Sequence, residues 1–368
     1  MSRRETERIL AAIRDVRSRG ERAALATVVR VRGSAYRREG AQILVRENGG
    51  WECLLSGGCL EPAVADAAAR VIATGAPVLV PYDLEDDSVW GLGIGCTGAV
   101  DVLIERLDDD EVMRAWIDRL ERGAPAVLVT PLDGASGRLL VDAAGGTTGR
   151  ITPVVPGLVD AARRRLAARS PHAGTEGLAG VDLFFAISQP PPSLVLFGAG
   201  HDAVPLARGA WDLGYAVTIV DSREAFLTSD RFPGMTRVHA SFDRLGDAIA
   251  LDARSAVVVM NHHLERDRQS LRAALASDAR YVGLLGPRSR LHKLVAALRD
   301  EGAAPDDAAL ARVRNPVGLA IGAETPEEIA VSILGELVAL DRGFEGGFLA
   351  GRESSLHRSD DSRALARS

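Results

Sequence analysis

The sequence predicts an α/β protein with an N-terminal α+β domain (residues 1–189) followed by a C-terminal doubly wound parallel-sheet domain (residues 193–343). The length of 368 residues allows two domains at about 150 residues each. The run Pro190–Pro192 predicts a stiff connector, because each proline fixes its own φ and extends the residue before it. Strands dominate before this run, whereas strands and helices alternate after it. Residues 344–368 carry Gly, Ser, Arg and Asp without a period, which predicts a disordered tail.

In the N-terminal half, short apolar runs separated by Gly- and Asn-containing turns predict strands. Ile9, Ile13 and Val16 are spaced as on one face of a helix and predict an amphipathic helix at the N-terminus. The predicted strands are Ala24–Val31, Ala41–Arg46, Trp51–Leu55, Pro77–Pro81, Ala99–Glu105, Ala126–Thr130 and Arg138–Val141, and a second helix is predicted over Pro62–Thr74. Runs of strands with so few helices indicate an α+β arrangement.

The C-terminal half alternates between buried-strand and amphipathic-helix patterns, which is typical of a parallel sheet with right-handed crossovers. The predicted strands are Ser193–Phe197, Ala216–Val220, Ala256–Met260 and Tyr281–Leu285, and the helices are Asp202–Leu213, Glu265–Ala276 and Arg288–Arg299. A further helix start is predicted at Thr325, because Pro326 and Glu328 complete the pattern of an N-cap, a first-turn proline and a capping-box glutamate.

Composition and charge exclude several classes of protein. Apolar residues make up 46% and charged residues 26%, the balance of an ordinary globular protein. The net charge of −6 provides no long-range attraction for phosphate backbones, so we expect no nucleic-acid partner. No apolar run approaches the roughly 20 residues of a membrane span, and the N-terminus lacks the apolar core of a secretory signal. We therefore expect a cytoplasmic protein.

Three glycine-containing segments of the N-terminal half are candidate ligand loops: residues 33–40, 56–61 and 90–98. Glycine permits positive φ and lets backbone N–H groups point together at an anion. Arg37 supplies a guanidinium that can donate two hydrogen bonds to a phosphate. The candidate cofactor-binding residues of these loops are Gly33, Ser34, Arg37, Gly57, Gly58 and Gly95.

The three cysteines also lie in this half, and an odd number in a long cytosolic chain argues against a disulfide framework. Cys53 falls within a predicted strand, which favours a small core residue. Cys59 falls near the start of a predicted helix, where the helix dipole favours a thiolate. Cys59 and Cys96 each stand beside glycines, and for these two a core role and a reactive role stay equally open. No histidine precedes His172 and no C-x-x-C pair occurs, so this half cannot assemble a four-ligand zinc site.

A nucleotide-type loop opens the C-terminal half. Residues 198–203 match G-x-G-x-x-A directly after a predicted strand and at the start of a predicted helix. In that context the glycines allow close approach of a pyrophosphate, and Asp221 at the end of the next strand accepts from a ribose hydroxyl. Gly198, Gly200, His201 and Asp221 are therefore candidate cofactor-binding residues of a Rossmann-like domain. A nicotinamide dinucleotide, a different ligand and no ligand all stay open, because a fold does not fix a function.

Two histidines, His262 and His263, follow the strand that ends at Met260, at the edge where doubly wound sheets bind ligands. An imidazole can act there as acid, base or ligand. A loop histidine is more often simply exposed, so the roles of these two stay open.

Several motifs occur in a fixed order along the chain. They are Gly33-Ser34 with Arg37, Ser56-Gly57-Gly58-Cys59-Leu60-Glu61, Gly93-Ile94-Gly95-Cys96, Gly198-Ala199-Gly200-His201, Tyr281-Val282-Gly283-Leu284-Leu285-Gly286 and Asn315-Pro316-Val317-Gly318-Leu319. Together they resemble the XdhC/CoxI family of accessory proteins that mature xanthine dehydrogenase and CO dehydrogenase. Thr97, Pro287 and the segment 261–263 depart from the residues usual in that family.

The resemblance implies that the protein binds the molybdenum cofactor (molybdopterin), supports its sulfuration with a cysteine desulfurase and inserts it into an apo xanthine dehydrogenase or a related molybdenum hydroxylase. On this interpretation Cys59 and Cys96 are candidate thiolate ligands of molybdenum, since soft ligands suit both the metal and sulfur transfer. No residue is assigned a catalytic role, and whether the chain is an enzyme stays open. We expect a homodimer, the commonest oligomer.

An NAD(P)-dependent oxidoreductase is the alternative, with Gly198, Gly200 and Asp221 binding the dinucleotide. Against it, no tyrosine lies four residues before Lys293, so the Tyr-x-x-x-Lys pair of many hydride-transfer enzymes is missing. The Rossmann-like domain can instead hold a dinucleotide form of the pterin cofactor. A scaffold that binds only the apo-dehydrogenase is a third hypothesis.

Overall fold

The computed structural model describes residues 3–33, 35–83, 98–168, 171–244 and 248–350. It divides into two compact units, one formed by the chain up to Pro190 with the segment from Phe348, the other by Pro191–Gly347. The predicted site residues Ser34, Gly95 and Cys96, and most of the predicted tail, lie outside the described residues. Among the described helices, none has the length and apolar character needed to cross a membrane.

The first unit contains a five-stranded antiparallel sheet in the order β3-β2-β1-β5-β4. Its elements are α1 (Arg3–Arg19), β1 (Ala23–Gly33), β2 (Gln42–Arg46), β3 (Trp51–Glu52), α2 (Glu61–Thr74), β4 (Val78–Asp83) and β5 (Gly98–Arg106). Helix α2 packs on β1 and β5 through its buried alanines and valines. The strands and helices predicted here are present, but β3 ends before the predicted Leu55. The cause is Cys53, whose φ of +69° does not fit an extended strand.

A second antiparallel sheet completes the first unit, in the order β8-β7-β6-β10-β9. Its elements are α3 (Glu111–Arg122), β6 (Ala126–Pro131), β7 (Ser136–Asp142), β8 (Thr147–Thr152), α4 (Leu158–Ala167), β9 (Gly174–Leu178) and β10 (Val181–Ser188). Of these elements, only β6 and β7 are predicted from the sequence. Glycines interrupt the pattern of β8 and β9, and the buried run of β10 stands directly before the prolines of the predicted connector.

The second unit is built on a six-stranded parallel sheet in the order β13-β12-β11-β14-β15-β16. Its strands are β11 (Ser193–Phe197), β12 (Ala216–Asp221), β13 (Thr236–His239), β14 (Ser255–Val259), β15 (Tyr281–Leu284) and β16 (Val313–Arg314). Its helices are α5 (Ala203–Asp212), α6 (Leu264–Leu275), α7 (Arg288–Asp300), α8 (Asp307–Ala311) and α9 (Pro326–Arg342). The order of the strands is the 3-2-1-4-5-6 order of Rossmann folds, which confirms the predicted doubly wound sheet.

The predicted helix start at Thr325 is confirmed as a reciprocal cap of α9. The Thr325 hydroxyl accepts from the N–H of Glu328 at 3.3 Å, and the Glu328 carboxylate accepts from the N–H of Thr325 at 3.0 Å. Helix α9 packs against α5, so this cap supports the layer that covers one face of the sheet.

We expect Thr325→Ala to lower the free energy of unfolding of the second unit by about 1 kcal/mol, because the N–H of Glu328 loses its acceptor. For a unit of this size the unfolding temperature should fall by about 2–4 °C, measurable by differential scanning calorimetry. Thr325→Ser keeps the hydroxyl and is the control. Equal unfolding temperatures for the two variants would show that the cap contributes nothing.

Candidate functional site

The strand directions of the first sheet bring its candidate loops to one end. β1, β3 and β4 run one way and β2 and β5 the other, because every neighbouring pair is antiparallel. β1 ends at Gly33, which pairs with Gly98 at the start of β5, and β4 ends beside them at Asp83. β3 runs in the same direction as β1, and residues 53–60 lead from it to α2. We name the end of the sheet at Gly33 and Gly98 the glycine-loop end.

The cysteine loop, residues 53–60, packs into the core of this sheet through its leucines. Its Leu55 and Leu60 are buried in one cluster with Ala35 of the first glycine loop. The third predicted loop, residues 90–98, precedes β5. Of its residues the structure describes only Gly98, the first residue of β5. Two of the three predicted loops therefore share a core, and the third re-enters the sheet at the same end.

A buried carboxylate fixes the cysteine loop. Glu61 is fully buried at the start of α2. Its Oε1 accepts from the backbone N–H groups of Leu55 at 2.9 Å and Ser56 at 2.8 Å, and its Oε2 accepts from the Ser56 hydroxyl at 2.6 Å. Burial alone would raise the pKa of Glu61, but these hydrogen bonds outweigh it and hold that pKa below its usual range. Glu61 is thus a loop-forming carboxylate that stays ionised.

The Ser56 hydroxyl, which donates to Glu61, also positions Cys59. Its oxygen accepts from the backbone N–H groups of Gly58, Cys59 and Leu60 at 3.1–3.2 Å. The Cys59 thiol lies 3.3 Å from the same oxygen and is half-buried. One serine oxygen, held by Glu61, therefore closes the turn and sets the position of the sulfur just before α2.

Open space lies in front of this turn. A Cβ built on Gly57 or on Gly58 would meet no group of the described residues within 4 Å. Gly58 has φ +112°, a conformation that only glycine adopts without strain, whereas Gly57 does not have a positive φ. The backbone beside Cys59 can thus be approached closely by a ligand, as the sequence predicts for Gly57 and Gly58.

Cys53 has the opposite environment. Its side chain is buried in the cluster formed by α1, α3 and neighbouring strands, and its sulfur lies 3.9 Å from the carbonyl oxygen of Glu5. Burial raises the pKa of the Cys53 thiol. Cys53 is therefore a core residue, as its place in the sequence favoured, and Cys59 is the more accessible thiol of the two.

The arginines of the first glycine loop already have partners. Arg37 Nη2 lies 2.5 Å from Glu5 Oε1, and Arg38 Nε lies 3.4 Å from Glu39 Oε2. Gly33 has φ +69° where the chain leaves β1. A phosphate bound here would have to share Arg37 with Glu5 or displace it.

The nucleotide-type loop of the second unit lies at the carboxyl end of β11. Gly198 has φ +118°, and a Cβ there would come within 2.6 Å of the Met260 carbonyl oxygen, so the loop fits closely against the end of β14. At Gly200 a Cβ would lie 2.7 Å from Asp202 Oδ1. His201 is exposed next to this loop, and Asp202 bonds to His262 at 2.6 Å. The sequence left the role of His262 open and gave no sign that Asp202 is involved.

Asp221, the predicted ribose acceptor, is fully buried, and both of its carboxylate oxygens accept hydrogen bonds from the protein. Its Oδ1 accepts from the backbone N–H and from Nε of Arg223, and its Oδ2 accepts from Nη2 of Arg223 and from the N–H of Ala199, all at 2.8–3.0 Å. Burial would raise the pKa of Asp221, but the Arg223 guanidinium and the two N–H groups outweigh it and lower that pKa. In this arrangement the carboxylate ties the glycine loop to β12, and a ribose would have to displace Arg223.

Metal-binding groups are not gathered in the described part of the chain, where no cluster of three or more His, Cys, Asp or Glu side chains could hold an ion. The predicted pair of molybdenum ligands, Cys59 and Cys96, has only its first member among the described residues. Ser34 and Gly95 likewise stay predictions.

Comparisons with known proteins agree on one family. A family model described as the XdhC Rossmann domain matches residues 194–337, and one described as the XdhC and CoxI family matches residues 16–83. A protein of Bacillus subtilis, named as a probable subunit of xanthine dehydrogenase, is 35% identical over 329 residues, 86% of this chain and 93% of that protein. The molybdenum cofactor insertion chaperone PaoD of Escherichia coli is 26% identical over 323 residues, 87% and 84% of the two chains. A crystal structure described as a xanthine dehydrogenase from Bacillus halodurans matches with a TM-score of 0.76 and 28% identity, over 99% of both chains.

We expect Glu61→Gln to destabilise the first unit by about 2 kcal/mol at pH 7. The amide would present N–H groups to the Ser56 oxygen, which already accepts three, and would leave buried donors unpaired. Because the folded-state pKa of Glu61 is lowered, its contribution is complete above the unfolded value of about 4.3 and is lost as pH falls through the folded value. Urea denaturation of both proteins at pH 7 and at lower pH should show a difference that shrinks in acid.

The control for this measurement is Glu121→Gln, which removes one partner of an exposed ion pair with Arg14 and should change stability by less than about 0.5 kcal/mol. A Glu61→Gln protein as stable as the control, or a difference that does not change with pH, would contradict the structural role given to this carboxylate.

Proposed function

Since the chain belongs to the XdhC and CoxI family, we propose that it is a maturation factor that binds the molybdenum cofactor, supports its sulfuration and inserts it into a xanthine dehydrogenase-type molybdenum hydroxylase. The observation that carries the proposal is the placement of Cys59, a half-buried thiol held by the Ser56 hydroxyl beside the glycine backbone of residues 57 and 58. The chaperone PaoD, whose name states molybdenum cofactor insertion, supports it at 26% identity.

The residues of the cysteine loop fit a soft metal carried on a flat organic group. A thiolate is the ligand that such a metal prefers, and Cys59 lies just before α2, where the helix dipole favours negative charge. Gly57 and Gly58 leave room for the ligand to lie against the backbone. The cofactor is cargo that the protein carries, and it contains the molybdenum and its dithiolene. The chain supplies a cysteine sulfur as ligand and the glycine loop as the binding site.

We propose Cys96 as the second thiolate ligand. Its segment runs between β4 and β5 and re-enters the sheet at Gly98, which pairs with Gly33 at the glycine-loop end. Cys96 precedes Gly98 by two residues in the sequence. Gly33, Ser34, Arg37 and Gly95 are proposed to hold the phosphate of the pterin, with Arg37 exchanging Glu5 for the phosphate.

The partners follow from this role. We propose that the loaded protein meets a cysteine desulfurase, which supplies sulfur for the terminal ligand of molybdenum, and then an apo molybdenum hydroxylase, which receives the cofactor. We also propose a homodimer acting in the cytoplasm. A carrier must release its cargo, and an accessible site at the end of a sheet suits both transfers better than an enclosed one.

We expect Cys59→Ala and Cys96→Ala each to reduce cofactor binding at least tenfold. Each removes a thiolate ligand, and Cys59→Ala should leave the fold intact because its sulfur bonds only to the Ser56 oxygen within the described residues. Binding is measured with purified molybdenum cofactor by ultrafiltration, counting retained molybdenum by mass spectrometry and pterin by fluorescence after oxidation. Cys53→Ala is the matched control, because that thiol is buried in the core. Retention by the Cys59 variant equal to that of the control would refute the proposed site.

We expect Gly57→Ala to separate binding from folding. Its added methyl lies more than 4 Å from every other group that the structure describes and requires no positive φ, so the unfolding temperature should change little. The methyl would occupy space that the proposed ligand needs, and cofactor affinity should fall several-fold. Gly58→Ala is the contrast, since its φ of +112° makes alanine costly and the unfolding temperature should drop. Undiminished affinity in a stable Gly57→Ala protein would place the cofactor elsewhere.

A further inference from the structure

The glycine loop of the second unit holds a carboxylate where a dinucleotide would place its pyrophosphate. In a G-x-G-x-x-A loop the second glycine is bare so that the backbone can approach the pyrophosphate. Here a Cβ at Gly200 would lie 2.7 Å from Asp202 Oδ1, so the Asp202 carboxylate fills the space that the glycine leaves. The same carboxylate stands at the start of α5, the position at which a helix attracts an anion.

His262 holds this carboxylate in place. Its Nε2 lies 2.6 Å from Asp202 Oδ2, and its Cδ2 would lie 3.8 Å from a Cβ at Gly200. His262 adopts φ +57°, a conformation that is costly for a residue with a side chain. The His262 side chain is 62% exposed, whereas the Asp202 side chain is only 11% exposed. The imidazole therefore covers the carboxylate from the solvent side.

The remaining hydrogen-bonding groups of the loop are largely used within the unit. The N–H of Gly198 donates to the Val220 carbonyl, and the N–H of Ala199 donates to Asp221. The Gly200 carbonyl accepts from Arg231 Nη2 at 2.9 Å. Both carboxylate oxygens of Asp221 also accept hydrogen bonds from within the unit. The glycine loop and Asp221 are the two features by which the motif predicts dinucleotide binding, and here both bond to the protein itself.

We propose that Asp202 and His262 set the ligand selectivity of this loop. Asp202 places its carboxylate at the pyrophosphate position and His262 bonds to it there, so the loop excludes dinucleotides and admits a ligand whose contacting group is neutral or cationic. Like charges at contact distance in a poorly solvated loop repel strongly, and a pyrophosphate must displace the carboxylate before it can reach the N–H groups of α5. This inference does not rest on the maturation role of the first unit.

The test is Asp202→Asn in the full chain, titrated with NAD⁺ by isothermal calorimetry. Asparagine keeps the shape of aspartate but removes the charge, and no helix-capping bond is lost because the Asp202 side chain makes none. We expect the variant to bind NAD⁺ at least tenfold more tightly than the unaltered protein. Asp212→Asn removes the same charge from the other end of α5 and should leave NAD⁺ binding unchanged.

Two further variants make the result decisive. Asp202→Ser also removes the carboxylate and should gain NAD⁺ affinity in the same way, so it carries the test if the asparagine variant does not fold. His262→Gln should give a smaller gain, because it releases the carboxylate without removing it. The proposal is overturned if the unaltered protein binds NAD⁺ as tightly as Asp202→Asn, or if folded Asp202 variants gain no affinity.

Discussion

The hydrogen bonding of the buried Glu61 carboxylate organises the part of the molecule on which the proposed function depends. Its two oxygens accept two backbone N–H groups and one hydroxyl, and that hydroxyl in turn accepts the three N–H groups that precede α2. A carboxylate can stay ionised in a core only when it receives such bonds, and they are also what bends the chain between β3 and α2. The position of the Cys59 sulfur is therefore a consequence of where Glu61 is buried.

The second unit uses the same device twice. Asp221 and Asp267 are also buried; Asp221 accepts two backbone N–H groups, and Asp267 accepts the backbone N–H and the side-chain amide of Asn261 after β14. Each also takes an arginine, Arg223 and Arg290 respectively, which offsets the cost of burying the charge. These three buried acids thus bond to the backbone of loops that follow strands. An acid at a motif position is consequently weak evidence for a ligand contact until its hydrogen bonds are known.

Sequence periodicity predicted the second unit well, because parallel strands buried on both faces give continuous apolar runs that glycines and prolines separate cleanly. It failed over β8 and β9, since strands as rich in glycine and polar residues as Thr147–Thr152 carry no alternation to detect. In the candidate site the glycine and cysteine pattern identified Cys59 and its neighbours, but not the function of Ser56 and Glu61. A bond between residues five apart in a loop has no periodic signal, and the pairing of Asp202 with His262 joins residues 60 apart in the chain.

The two units show that a glycine-rich turn defines a space without defining what fills it. At Gly57 and Gly58 nothing in the described chain enters the space, and a half-buried thiol stands beside it. At Gly200 the chain's own Asp202 enters the corresponding space, and its carboxylate bonds to His262, whose backbone has φ +57°. The space beside the first turn is therefore open within the described chain, whereas the space beside the second is filled by the chain itself, although both turns are rich in glycine.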